Sequence, residues 1–184
     1  MKNNAAAAEV AQPYAQALLS IAQSNNLTEE FGVDAKSLIS LLSGSEELQN
    51  FLDNPFIQPE NKKNLIKQLL GEGASPYLRN FLLLLVDRRR IAVLEPILQQ
   101  YLALLRQLNQ TVLAEVTSTV ALTEEQLQAV KEKVLAITKA REVEIETSID
   151  TDLIGGLVIK VGSQVIDASL RGQLRRLSLS LTSN

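Results

Sequence analysis

The sequence predicts an α+β protein of two domains, an N-terminal six-helix bundle followed by a small mixed α/β domain. Two observations carry this. Apolar residues recur at helical spacing from about residue 10 to 108, broken only at turn residues, and near Thr111 the period changes from 3.6 to 2. The motif order after that change is strand, helix, strand and hairpin, then a terminal helix.

In the first half, Tyr14, Ala17, Leu18, Ile21 and Ala22 fall on one helical face, with Pro13 in the first turn. Thr28 is the expected N-cap of a second helix carrying Leu38, Ile39, Leu41 and Leu42 and ending near Gly44. Ser45-Glu46-Glu47 starts a short third helix that stops before Asn54-Pro55. Pro59 opens a fourth, with Leu65, Ile66, Leu69 and Leu70 before Gly71. Ser75-Pro76 form an N-cap and first-turn pair for a fifth. Ile91 to about Leu108 gives the sixth, with Pro96 near its start.

Beyond Thr111, Val112, Ala114, Val116, Val120 and Leu122 alternate with polar residues as in a half-buried strand. Thr123-Glu-Glu-Gln126 is a capping box, and Leu127, Val130, Val134 and Ile137 form the buried stripe of the helix it starts. Val143, Ile145, Thr147 and Ile149 alternate with Glu142, Glu144, Glu146 and Ser148 in a second strand. Leu157, Ile159 and Val161 make a third, Gly162-Ser163 a turn, and Val165 to Asp167 a fourth. A strand-helix-strand pair implies a right-handed parallel crossover, and the hairpin adds an antiparallel pair. The boundary falls near 106–111, giving domains 1–108 and 109–184.

Composition bounds the chemistry. The 184 residues are 46% apolar and include no cysteine and no histidine. That removes the commonest general base, the commonest zinc ligands and any thiol nucleophile. Net charge is −3, and neither half carries the basic excess of a nucleic-acid binder. No apolar run approaches the roughly 18 residues of a membrane span, and Met1 to Ala8 is too short and too weakly apolar for a signal peptide. No catalytic residue, metal site or cofactor site is expected.

Several features have two readings. Gly155-Gly156 precedes a strand rather than a helix and lacks the Gly-Lys-Ser/Thr ending of a nucleotide loop, so it fits a bend where only glycine fits better than a phosphate cradle. Glu142, Glu144 and Glu146 fit a solvated strand face. Arg88-Arg89-Arg90 either complements a helix C-terminus or meets an acidic partner surface. Phe81 to Val86 is apolar all round and belongs to the bundle centre, or is half core and half binding groove. Leu170, Leu174, Leu177 and Leu181 form a narrow seam that either packs on its own sheet or docks a partner helix.

The block Asp152-Leu-Ile-Gly155-Gly156-Leu-Val-Ile-Lys160, followed by Asp167-Ala-Ser169-Leu170-Arg-Gly-Gln173-Leu174, resembles the signature of the ATP synthase delta subunit family. The mitochondrial counterpart of that family is the oligomycin-sensitivity-conferring protein. Tyr14 to Ala22 looks like its first helix and Asn80 to Arg90 like its fifth. The resemblance implies a non-catalytic stator subunit of a proton-translocating ATP synthase, linking catalytic head to peripheral stalk. It further implies a groove for the N-terminal helix of an alpha subunit, with Tyr14, Leu18, Ile21, Phe81 and Leu85 contributing to the groove or its support. The C-terminal domain would meet b-type stalk subunits through Leu174, Leu177 and Leu181. Asp152, Gly155, Gly156, Asp167 and Ser169 would be structural. Val86 to Ile91 and Val161 to Arg176 look cyanobacterial or plastid-like, which implies a peripheral place on the cytoplasmic face of a bacterial membrane, a cyanobacterial thylakoid first and a plain inner membrane as the alternative, with membrane association through the complex. A generic helical adaptor and a small hydrolase or nucleotide-binding enzyme are the rival readings, the second disfavoured by the missing His, Cys and phosphate loop.

Overall fold

The helical period of the first half becomes α1 (Asn3–Ser24), α2 (Thr28–Gly44), α3 (Glu46–Asp53), α4 (Pro59–Leu70), α5 (Pro76–Asp87) and α6 (Leu94–Asn109). The second half forms β1 (Thr111–Ser118), α7 (Glu124–Thr138), β2 (Glu142–Ile149), β3 (Leu157–Val161) and β4 (Gln164–Asp167). The computed structural model describes residues 3–71, 73–138 and 140–174. By contacts the chain divides into Met1–Leu105 and Arg106–Asn184.

In the first unit α1 begins ten residues before Pro13, not at it. The alanines at 5 to 8 are the strongest helix formers, and the run carries the helix through a proline that deprives the Glu9 carbonyl of its partner. The buried face of α1 is small, with Ala11, Ala15 and Ala22 around Leu18, so its neighbours approach closely. Leu27, not Thr28, holds the N-cap position of α2, and no side chain caps that end. Thr28 is the first helical residue instead. Ser45 does cap α3, accepting from the Leu48 N–H at 3.2 Å. Ser75 sits before Pro76 as expected but makes no cap bond, and its hydroxyl is buried without a partner. Phe31, Leu78, Leu82, Leu85, Ile97 and Leu98 form the centre of the core.

Tyr101 pins α6 to the start of α2. It is fully buried, and its hydroxyl donates to the Thr28 carbonyl at 2.9 Å. One turn on, Gly32 leaves room for the Leu105 side chain; a β-carbon there would come within 2.8 Å of it.

The second unit is one four-stranded sheet in the order β2-β1-β3-β4. β1 and β2 run parallel across the α7 crossover, while β1–β3 and β3–β4 are antiparallel. Thr123 and Gln126 exchange the two reciprocal bonds of a capping box, at 2.9 and 3.3 Å, and start α7. Val130 and Val134 of α7 pack on Ala114, Val116, Val143 and Ile159. β1 stops before Val120 because the Ser118 hydroxyl turns to donate to the Val120 carbonyl at 2.7 Å, and Val120 is left exposed. Of the expected apolar face of β2 only Val143 is buried; Ile149 is open to solvent, as an edge strand permits. Ile137 of α7 is also exposed rather than part of the buried stripe. Glu142 and Glu146 face solvent, whereas Glu144 is half-buried and accepts from Arg106 at 3.3 Å.

Burial, with the Glu29 carboxylate adding to it, pushes the Tyr101 phenol up to about 12 from its ordinary 10. The folded state therefore holds the proton longer than the unfolded chain. Stability conferred by the neutral phenol is complete below pH 10 and falls as pH rises from 10 towards 12. Denaturant titration of wild type against Tyr101→Phe is expected to show the variant about 1 kcal/mol less stable at pH 7. The gap should narrow or invert above pH 10, where the wild type alone carries this charging cost.

Candidate docking surfaces

A cleft of about 510 Å³ runs between α1 and α5. Ser20, Ile21, Ser24 and Asn25 line one side, and Tyr77, Asn80, Phe81 and Leu84 the other. The polar groups on the α1 side are spent locally. Ser20 and Ser24 hydroxyls donate to the Gln16 and Ser20 carbonyls at 3.0 and 2.9 Å, and the Asn25 amide donates to the Ile21 carbonyl at 2.7 Å. What remains towards the cleft is mainly apolar, with Asn80 the polar side chain on the α5 side, and Tyr77 and Leu84 stand 48% and 44% exposed on its wall. An open, mainly apolar cleft suits an amphipathic helix rather than a reactive small molecule.

The residues expected here divide. Ile21 and Phe81 line the cleft. Tyr14 is half-buried against the core outside it. Leu18 and Leu85 are 1% and 0% exposed, so they support the cleft from behind and cannot face a partner. Periodicity alone had no way to separate wall from support, because α1 and α5 bury one face and half-bury the next. Tyr77, Asn80, Phe81 and Leu84 stand at i, i+3, i+4 and i+7, so the second stripe of α5 was present in the sequence.

The paired-glycine block occupies one end of the sheet in the second unit. Gly156 has φ +82, and a β-carbon there would overlap the Ala168 carbonyl oxygen and approach the Ser169 Cα to 2.9 Å. Gly155 faces Leu170, whose Cδ1 would lie 2.8 Å from an added methyl. The Gly155 carbonyl accepts from the Leu170 N–H at 3.0 Å, so the two glycines form the seat of the helical residues 170–174. Asp167 and Ser169 launch them. One Asp167 carboxylate oxygen accepts from the Ser169 N–H and hydroxyl at 2.9 and 2.6 Å, and Ser169 Oγ accepts from the Gly172 N–H at 3.0 Å. Asp152 contributes its N–H to the Asp150 carboxylate at 2.9 Å, so the capping side chain at that turn belongs to Asp150. Leu170 and Leu174 are 47% and 61% exposed, and beside them Ile154 is 70% exposed at φ 66. Leu177 and Leu181 lie outside the described residues.

Among the described residues no group of three or more acidic, His or Cys side chains is placed to hold a metal. No described helix is long and apolar enough to cross a membrane.

Gly156→Ala is expected to lower the stability of the second unit by at least about 2 kcal/mol, because left-handed strain adds to a backbone overlap. Gly155→Ala meets only the flexible end of Leu170 and should cost about half as much. Hydrogen exchange of the β3 amides in the two variants measures the difference.

A family model for the ATP synthase delta (OSCP) subunit matches residues 10–181. The chain is 73% identical to ATP synthase subunit delta of Trichormus variabilis over the whole of both chains. It is 55% identical to that of a Synechocystis species over 98% of each. A chain in a cryo-EM structure of the Toxoplasma gondii mitochondrial ATP synthase hexamer shares the fold at TM-score 0.73 and 23% identity, over 94% of this chain and 97% of that one. With the glycine seat, the capped residues 170–174 and most of both units inside the matched span, the chain belongs to the ATP synthase delta (OSCP) family.

Proposed function

We propose that the chain acts as a non-catalytic connector within the peripheral stalk of an F-type ATP synthase, holding the catalytic head to the stalk while the rotor turns. Membership of the delta family makes it a subunit of that complex, serving ATP synthesis and ion transport. The six helices of the first unit form the head-binding module, and the N-terminal helix of an alpha subunit occupies the α1–α5 cleft. The second unit meets the b-type stalk subunits through Ile154, Leu170 and Leu174. The complex sits peripherally on the cytoplasmic face of a cyanobacterial thylakoid, in keeping with the cyanobacterial relatives. No nucleic acid, cofactor or substrate enters this reading.

The observation that carries it is the apolar cleft with half-exposed Tyr77 and Leu84 on its wall. A joint under torque needs tight binding, and a nanomolar complex requires about 12 kcal/mol. Exposed ion pairs supply about 0–1 kcal/mol each. Burying four large apolar side chains supplies roughly 6–12 kcal/mol before ordering costs. Apolar contact therefore provides the grip, and charge sets orientation.

Calorimetry with a peptide from a cyanobacterial alpha-subunit N-terminus tests the cleft. Leu84→Asp should weaken binding by a factor of ten or more, about 1.4 kcal/mol, without unfolding the chain, since Leu84 is 44% exposed. Leu18→Asp is expected to unfold the first unit instead, because Leu18 is 1% exposed. Unchanged affinity in folded Leu84→Asp would remove the alpha-subunit helix from this cleft.

A further inference from the structure

A second cleft in the first unit is built from different chemistry. It lies between the α3–α4 loop and the turn that follows α5, has a volume of about 190 Å³, and takes its apolar floor from Leu52, Ile57, Val86 and Ile91. A volume of that size admits about one large aliphatic or aromatic side chain. Lys62 lines it while only 7% exposed, donating one bond to the Leu52 carbonyl. Asp53 shares the cleft and offsets the charge of Lys62.

The mouth is cationic. Arg89 lines the cleft, and Arg88 and Arg90 flank it in sequence, all three exposed. Among the described residues none of the three has a carboxylate partner, since the nearest acid in sequence, Asp87, is taken by Lys63 at 2.7 Å. The turn that presents them is fixed. The Arg90 N–H returns to the Leu85 carbonyl at 2.7 Å and the Arg89 N–H to the Val86 carbonyl at 3.0 Å, with Arg89 left-handed at φ 55. On the loop side Phe56 is 92% exposed and held out in a tight turn, its N–H donating to the Asn54 side-chain oxygen at 2.9 Å between Pro55 and Pro59. An exposed aromatic on a turn that lines a one-residue apolar socket is the make-up of an anchor point for another protein.

We propose that this cleft is a second docking site, distinct from the α1–α5 groove, which takes an acidic protein segment carrying one apolar side chain. The apolar residue enters the socket beside Phe56, and flanking carboxylates pair with Arg88, Arg89 and Arg90. Charge complementarity selects the occupant: three guanidiniums in a fixed turn, without a carboxylate partner among the described residues, match carboxylates in the bidentate geometry arginine favours. A concave socket suits a side chain, whereas a bilayer surface would need the apolar group to project beyond the cations.

The test uses the full chain and a fluorescent synthetic peptide with one central leucine flanked by glutamates, read by anisotropy at low salt. Saturable binding is expected, weakened roughly tenfold or more in the Arg88→Gln, Arg89→Gln, Arg90→Gln triple variant and several-fold in Phe56→Ala. A peptide with serine in place of the leucine should bind several-fold less tightly than its parent. All four substituted residues are exposed, so each variant should keep the wild-type melting temperature. Absence of saturable binding, equal affinity in the triple variant, or equal affinity of the serine peptide overturns the proposal. Preferential binding of the chain to phosphatidylglycerol vesicles, lost in the triple variant while the peptide fails to compete, overturns it in favour of a lipid surface.

Discussion

A helix can turn only part of its circumference towards one core, and α5 is apolar on more than that part. Leu78, Phe81, Leu82, Leu85 and Val86 are buried, which uses the inward side completely. Tyr77 and Leu84 are then forced onto the outer flank, where nothing in the first unit covers them fully. The small face of α1 amplifies this. With alanine at 11, 15 and 22, α1 lies close to the core, and its next stripe, Ile21 with Ser20 and Ser24, faces the same opening. The cleft is thus a by-product of how two helices satisfy one core. Its chemistry follows from the residues left over, and those are mainly apolar because Ser20 and Ser24 bond within α1 and Asn25 bonds back to its last turn.

Features set by neighbouring residues are legible in a sequence, and features set by distant helices are not. The change of period at Thr111, the capping box at Thr123 and the serine boundary at Ser169 each depend on residues near one another in the chain, and each was readable. Pro13 was misleading because proline marks a first turn only when nothing before it favours helix. Leu18 and Leu84 were inseparable from core and wall in one dimension, since whether a stripe is covered depends on helices far along the chain. Lys62 could not be foreseen as buried: its charge finds the Leu52 carbonyl across the α3–α4 turn, a contact no local pattern encodes. Phe56 stood in a Pro-flanked loop, where an aromatic residue gives no periodic signal at all.

Backbone strain separates structural turns from surfaces shaped for something else. Asn26, Arg89 and Gln110 are all left-handed, and all follow the ends of helices. After α1 and α5 the returning N–H groups satisfy carbonyls that would otherwise lack partners, as with Leu27 on Ala22 and Arg90 on Leu85. Their conformation is accounted for inside the fold. Ile154 is different. It closes no α-helix, it is β-branched, and its positive-φ backbone, with ψ −37, lies in a sparsely populated region that costs about 1–3 kcal/mol.

That cost brings no burial in the second unit, because the Ile154 side chain stays 70% exposed. The neighbours explain the backbone but not the side chain. Gly155 and Gly156 must approach Leu170 and the Ala168–Ser169 backbone closely, and the chain has to reverse just before them. A glycine at 154 would make that reversal at lower cost. An isoleucine there makes physical sense when its side chain gains, in an assembly, the burial that it lacks alone. Leu170 and Leu174 share that position, tied to the glycine seat by the bond from Leu170 N–H to Gly155 carbonyl. Leu170 and Leu174 stand one helical turn apart and Ile154 adjoins the glycines that seat them, so all three exposed side chains are carried on backbone fixed by the Gly155–Leu170 bond. Preordering lowers the entropy lost on binding, so less of the energy of apolar contact goes into ordering the surface.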